Sequence, residues 1–343
     1  MKRIILGVLL LTLTLFITAC GGNEEAGGEA SDGAGSNGKT YDLDMSVTVG
    51  EASTWFKAAE KLAEDVKEKS EGRITISVYP NEQLSGGNSG TAVEQVANGT
   101  QAMSYNSTII YSIMDERLGV LSAPFIFPDL DTAYSLLDGE GGEMIKDILR
   151  ENGVEPLGFG QNGFRQVTNS QHPIKTPEDL NGLKMRIPGI AMYTDLWRMF
   201  GTDPTSMTFS EVFTSLQQGT IDGQENPVDV IHSSQLNEVQ DYMTVWDYSF
   251  DPLILGINKE LFDSMSEEDQ KIMQEAAADA NAYQIKLAQE LESEQLKELE
   301  ESGMEIYTLN EEEKEAFRKV VEPIYEQYKS VWGEELLNAF QQN

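Results

Sequence analysis

Cysteine, histidine and basic side chains are scarce in this 343-residue chain. Cys20 is the only cysteine, and His172 and His232 are the only histidines, so neither an internal disulfide framework nor a cysteine–histidine zinc cluster can be assembled. Lysine and arginine number 24 against 58 aspartates and glutamates, a formal net charge of −34. Without a basic stripe to neutralise phosphates, nucleic acid is excluded as a partner. The longest largely apolar run, Ile4 to Ala19, falls short of the ~20 residues a transmembrane helix needs. No fixed-period repeat is visible and no Gly-x-Ser-x-Gly elbow occurs.

The apolar run sits directly behind Lys2 and Arg3 and leads through Ile17, Thr18 and Ala19 to Cys20. That order resembles the bacterial lipoprotein signal, in which the cysteine becomes the acylated N-terminus. Residues 1–19 are thus expected to be a signal peptide, with Cys20 the lipidation site and the protein held outside the cytoplasm on the cell membrane. Residues 20–39 carry no large apolar side chain and read as a flexible tether. Cys20 is then unavailable as a catalytic thiol.

From Thr40 onward the 40% hydrophobic composition allows a sizeable core, expected to split into two lobes. Leu43, Met45, Val47 and Val49 alternate as in a strand; Phe56, Ala59, Leu62, Ala63 and Val66 repeat at helical spacing; Ile74, Ile76 and Val78 alternate again. This order recurs, which predicts an α/β fold with a mainly parallel sheet. Ser266 with Asp269 opens a very long helix that Gly303 closes, long enough to bridge two lobes. The expected fold class is a two-lobed, periplasmic-binding-protein-like α/β architecture, hinge-connected, with a central sheet in each lobe. Lobe I takes residues 40–162 plus about 252–290, and lobe II takes 163–251 plus about 291–343.

Against the acidic background one window stands out. Between Pro156 and Phe200, Arg165, Lys175, Lys184, Arg186 and Arg198 face only Glu178, Asp179 and Asp195, a local excess of two positive charges. Arg186 lies in GLKMRIPG, and FSEVFTSLQQGTIDGQENP follows, ending in Asn226 and Pro227. A planar guanidinium holds a carboxylate through two parallel charge-assisted hydrogen bonds, a geometry lysine cannot supply. The window therefore reads as an anion receptor.

The runs KAAEKLAEDVKEKSEGRITISVYPNEQL, APFIFPD, NGFRQVTN, PIKTPEDLNGLKMRIPG, PTSMTFSEVFTSLQQGTIDGQENP and NEVQDYMTV, in that order, resemble the extracytoplasmic solute receptors of tripartite ATP-independent periplasmic (TRAP) transporters. That family binds C4-dicarboxylates, sialic acid and sugar acids. The resemblance implies that Arg186 forms the main salt bridge to a substrate carboxylate, that Arg165 is a second arginine and Asn226 a carboxylate-contacting amide, and that Phe209 packs beside the ligand. It also places Thr48 and Ser107 against the rest of the solute. Gly87 and Ser107 are not acidic, which departs from the sialic-acid branch and leaves the far end of the ligand open. Trp246 and Tyr248 are read two ways, as pocket lining or as core aromatics.

Function follows as an expectation: a non-catalytic, monomeric receptor that captures an organic acid, a C4-dicarboxylate or a sugar acid such as a uronate, by lobe closure and delivers it to membrane permease subunits. The alternatives are a sensory co-receptor for the same solute, or an extracytoplasmic enzyme on acidic sugars. No cofactor, metal or catalytic residue is expected. Gly158, Gly160 and Gly163 spell a dinucleotide fingerprint, but no helical pattern follows them, and a lobe junction is the better reading. Asp129, Asp131 and Glu140 fit a calcium loop except that Tyr134 stands where glycine is required. Ser210, Glu211 and His232 could be imagined as a triad, but Ser210 is expected to cap a helix beginning at Glu211.

Overall fold

The computed structural model describes residues 38–341; the signal peptide, Cys20 and nearly all of the tether lie outside them. Strand β1 (Tyr41–Val47) buries Leu43, Met45 and Val47 on its inward face, as their alternation requires. Helix Thr54–Lys69 starts where the Ser53 hydroxyl accepts the Phe56 amide at 3.2 Å, and it buries Phe56, Ala59, Leu62 and Val66. Strands β2 (Ile74–Tyr79) and β3 (Met103–Ser107) pair in parallel with β1 on either side.

Strand β4 (Val154–Asn169) runs for 16 residues and serves two sheets. Its first part pairs with β9 (Phe250–Asn258), and its last five residues, Arg165 to Asn169, pair with β7 (Gly223–Pro227). The first sheet has the order β2-β1-β3-β9-β4; the second runs from β4 through β7 and β5 (Lys184–Ile187) to β6 (Asp203–Ser206). On the other side of β4, β8 (Tyr242–Val245) adds antiparallel and β10 (Glu305–Thr308) pairs with β8. The expected mainly parallel sheet is corrected here. Strand β9 runs antiparallel to both β3 and β4, and β4 runs antiparallel to β7 and β8. The cause is the double crossing: the chain leaves the first sheet along β4 and returns along β9, and two neighbouring segments travelling in opposite directions pair antiparallel.

The glycine-rich run is the bend of β4, with register shifts between Pro156 and Phe159 and between Gln161 and Gly163. A Cβ at Gly160 would run into the Tyr105 hydroxyl, so this position has a packing reason for glycine. Helix Glu267–Glu301, 35 residues long, starts at Ser266, whose hydroxyl accepts the Asp269 amide. Its first half packs Ile272, Met273, Ala276, Ala277 and Ala280 into the core under the first sheet, and Leu299 joins the apolar cluster of Val212, Leu216 and Met243. Between them Gln284 accepts the Gln161 amide and donates to the Gln161 carbonyl, both at 2.7 Å, tying the helix to the bend of β4. Among the described residues no helix is long and apolar enough to cross a membrane.

Candidate ligand-binding site

The parallel pair β1 and β3 and the parallel pair β5 and β7 end near one another, and the site is built where they end. Thr48 follows β1, Ser107 closes β3, Arg186 is the third residue of β5 and Asn226 the fourth of β7. Ligands of open α/β sheets gather at such carboxyl ends. Six of the residues expected from the sequence, Arg186, Arg165, Asn226, Phe209, Thr48 and Ser107, line one narrow cavity of about 30 Å³. A recess of about 290 Å³ adjoins it, sharing Thr48 and Phe209 and reaching Glu82, Gly87 and Ser89.

The two arginines differ in kind. Arg165 sits on β4 opposite Pro227, two residues along the same face from Glu225. Its Nε donates to Glu225 Oε2, Nη2 to Glu225 Oε1 (2.8 Å) and the Glu225 carbonyl (2.7 Å), and Nη1 to Asp251 Oδ2 (2.8 Å). Asn226 Oδ1 accepts from Nη2 at 3.1 Å. Although burial alone would depress it, the Arg165 pKa is held well above the ordinary value by Glu225 first, with Tyr193 and Asp251 adding to it. Arg165 is thus a neutralised structural cation with one Nη1 proton to spare.

Arg186 is equally buried, at 3% exposure, yet no carboxylate reaches it among the described residues. Its Nε (3.1 Å) and Nη2 (2.8 Å) both donate to the Met207 carbonyl. That leaves both protons of Nη1 and the outer proton of Nη2 without an acceptor, and these form the end-on fork that fits a carboxylate. Burial pushes its pKa down to about 10, with Glu225 opposing and Arg165 adding to the depression. The Phe209 ring lies 5.8 Å from the guanidinium, within reach of a cation–π contact.

Trp246 and Tyr248 do not line the cavity. Both are fully buried, their rings 4.5 Å apart, in an aromatic cluster with Trp197, Phe200 and Phe317. Tyr248 instead supports Arg165 from behind, its hydroxyl donating to Glu225 Oε2 at 2.7 Å. Ser210 does not cap a helix: it lies inside the turn Phe209–Glu211, after the capping position, and its hydroxyl donates to the Gly87 carbonyl at 3.0 Å. Thr208 donates to the same carbonyl at 2.8 Å. His232 pairs with Glu298 at 2.6 Å. Asp129 caps helix Leu130–Leu137, and no cluster of three or more metal-ligating side chains occurs among the described residues.

Four buried polar side chains around the cavity escaped sequence reasoning: Glu225, Asp251, Glu82 and Asn162. Glu225 and Asp251 had a signal, being acids inside otherwise apolar or pairing strands, where burial demands a cation. A larger recess, about 670 Å³, is an open groove lined by Lys57, His232, Glu294 and Glu298. It holds no arginine, and its acids offset its cations, so the smaller arginine-lined cavity is the stronger anion site.

Residues 45–330 match the model of the bacterial extracellular solute-binding protein family 7. The chain belongs to this family. The 2,3-diketo-L-gulonate-binding periplasmic protein YiaO of Escherichia coli is 34% identical over 251 residues, covering 73% of this chain and 76% of that one. The C4-dicarboxylate-binding protein DctB of Bacillus subtilis is 31% identical over 281 residues, 82% of this chain and 80% of its own. A TRAP periplasmic solute-binding protein of Ralstonia eutropha H16, solved with (S)-2-acetolactate, superposes with a TM-score of 0.85 at 34% identity, covering 87% of this chain and 97% of that one. The two-lobed α/β architecture of such solute-binding proteins is the architecture of this chain, long helix included.

Proposed function

We propose that this TRAP-type solute-binding protein captures an organic acid by its carboxylate and hands it to membrane permease subunits. The observation that carries the reading is the buried Arg186 fork, which has no carboxylate partner of its own. A buried guanidinium in that state is under-compensated, and an incoming carboxylate supplies the missing charge and both acceptors. Asn226 and the spare proton of Arg165 border the same cavity and serve as secondary contacts, while Phe209, Thr48 and Ser107 face the body of the solute. Three relatives are named for, or hold, three different acids, a diketo sugar acid, a C4-dicarboxylate and acetolactate; all three carry a carboxylate.

A cavity of about 30 Å³ holds about one water molecule, so the walls must part to admit a solute and close again over it. On this reading the lobes expected from the sequence, residues 40–162 plus about 252–290 and residues 163–251 plus about 291–343, are the halves that part, with β4, β9 and the long helix as the connections that flex. Membrane attachment through lipid on Cys20 rests on the Lys2-to-Cys20 run, and the receptor acts as a monomer with one solute. A thermal-shift screen against an organic-acid panel tests the reading. A true ligand at 100 times its Kd adds roughly 2.7 kcal/mol of stability, and a panel of carboxylates with no effect beside a neutral sugar that stabilises would overturn it.

A further inference from the structure

Glu82 closes the other end of the binding space. It follows Asn81 in a turn where both residues have left-handed backbones, φ 54° and 52°, and this conformation turns Glu82 inward to 1% exposure. Its Oε1 accepts from Asn106 Nδ2 at 2.9 Å and lies 2.7 Å from Thr48 Oγ1. Thr48 Oγ1 is also 2.7 Å from Asn106 Oδ1, which already accepts the Ser107 amide. One hydroxyl proton cannot serve both acceptors. The count closes when Glu82 carries a proton and donates it to Thr48, which in turn donates to Asn106. Burial pushes the Glu82 pKa up to about 7, against hydrogen bonds from Thr48, Ser46 and Asn106.

Glu82 Oε2 has no hydrogen-bond partner among the described residues, and neither do Ser89 Oγ and Asn162 Oδ1. All three residues are at least nine-tenths buried and line the two adjoining recesses. No lysine, arginine or histidine lines the Glu82 recess. Unsatisfied acceptors and a hydroxyl, with no cation, suit a solute that offers O–H groups. A second carboxylate placed there would meet an acid with no counter-charge.

We propose that Glu82 selects the solute at the end remote from Arg186: it reads a hydroxyl, so that the protein takes a polyhydroxylated monocarboxylate and rejects C4-dicarboxylates. This rests on Arg186 as the carboxylate clamp. The solute spans from Arg186 past Phe209 and Thr48, with one hydroxyl donating to Glu82 Oε2 and accepting from Ser89.

Calorimetry on the full-length protein at about pH 8, where Glu82 is mostly ionised, with D-galactonate, D-glucuronate, D-erythronate, succinate and L-malate, tests this. At least one hydroxylated monoacid binds about 100-fold or more tighter than succinate, because a site built for hydroxyls rejects ligands that lack them. Glu82→Gln keeps the shape, and its amide oxygen accepts from Asn106 and Thr48 as the ionised carboxylate does at this pH, while the acceptor charge is lost and an N–H donor stands at the Oε2 position. It weakens the preferred monoacid about tenfold or more and narrows its lead over succinate; thermal unfolding confirms that the variant is folded. Succinate or malate binding tighter than every monoacid, or a Glu82→Gln ratio equal to wild type, overturns the proposal while leaving the Arg186 reading intact. Binding of none of the five overturns both.

Discussion

Replacing Arg186 by methionine separates function from stability more sharply than any other single change. The side chain is buried, its pKa falls from the ordinary 12.5 to about 10, and its only hydrogen-bond acceptor among the described residues is the Met207 carbonyl. At roughly 1.4 kcal/mol per pKa unit the depression amounts to a burial cost on the order of 3 kcal/mol. The sign is fixed: the guanidinium is protonated at neutral pH in both the folded and the unfolded chain, so the cost is present in full there and is relieved only as pH rises past about 10. Losing the hydrogen bonds to Met207 gives back about 1–2 kcal/mol. Methionine fills a similar volume with a flexible apolar chain. The ligand-free Arg186→Met protein is therefore expected to be as stable as wild type or up to about 2 kcal/mol more stable, which is a Tm change between zero and a rise of several degrees. Carboxylate affinity is expected to fall about 10²- to 10³-fold, since the ligand's charge would be buried unpaired. Scanning calorimetry with and without ligand reads both quantities at once. A ligand-free variant melting several degrees below wild type, or one that keeps its ligand-induced stabilisation, would refute the reasoning.

Arg165→Met should behave in the opposite way: it strands Glu225 and Asp251 in the core, costs about 3–5 kcal/mol, and shows as a large fall in denaturation midpoint without ligand. Arg186→Lys keeps the charge without the planar fork and is expected to bind at least about tenfold more weakly by calorimetry, with wild-type affinity arguing for a point-charge site. The raised Glu82 pKa of about 7 means the native state holds more protons than the unfolded chain between roughly pH 4.5 and 7, so this group lowers stability as pH rises through that window. The Tm advantage of Glu82→Gln over wild type should accordingly be larger at about pH 8 than at about pH 5, and a pH-independent difference would place Glu82 in a more solvated setting. Thr208→Ala with Ser210→Ala removes both hydroxyls on the Gly87 carbonyl; at about 1 kcal/mol each the pair should speed ligand release by up to about 30-fold in stopped-flow measurements, and an unchanged off-rate would mean these bonds survive opening.

Residue types that ran against the composition were the most readable part of the chain. Arginines in a chain of net charge −34 stand out, and Arg186, Arg165 and Asn226 do meet in one cavity. Among 58 acids, Glu225 and Asp251 are marked only by lying within strands, whereas nothing local marks Glu82, which the left-handed turn at Asn81 and Glu82 turns inward. The core strands and the long helix followed from periodicity and the Ser266 cap, whereas the direction of β9 depends on where the chain crosses between sheets. Trp246 and Tyr248 lie in an irregular extended segment before β9, where alternation gives no inward face, so pocket and core remained equally open until packing decided.

A crystal structure of the protein with the acid that gives the largest thermal shift tests the central claim most directly. The account predicts the carboxylate seated end-on against Nη1 and Nη2 of Arg186, with Arg165 still held by Glu225 and Asp251. A carboxylate bound elsewhere, as in the open groove beside Lys57 and His232, with Arg186 untouched, would contradict it.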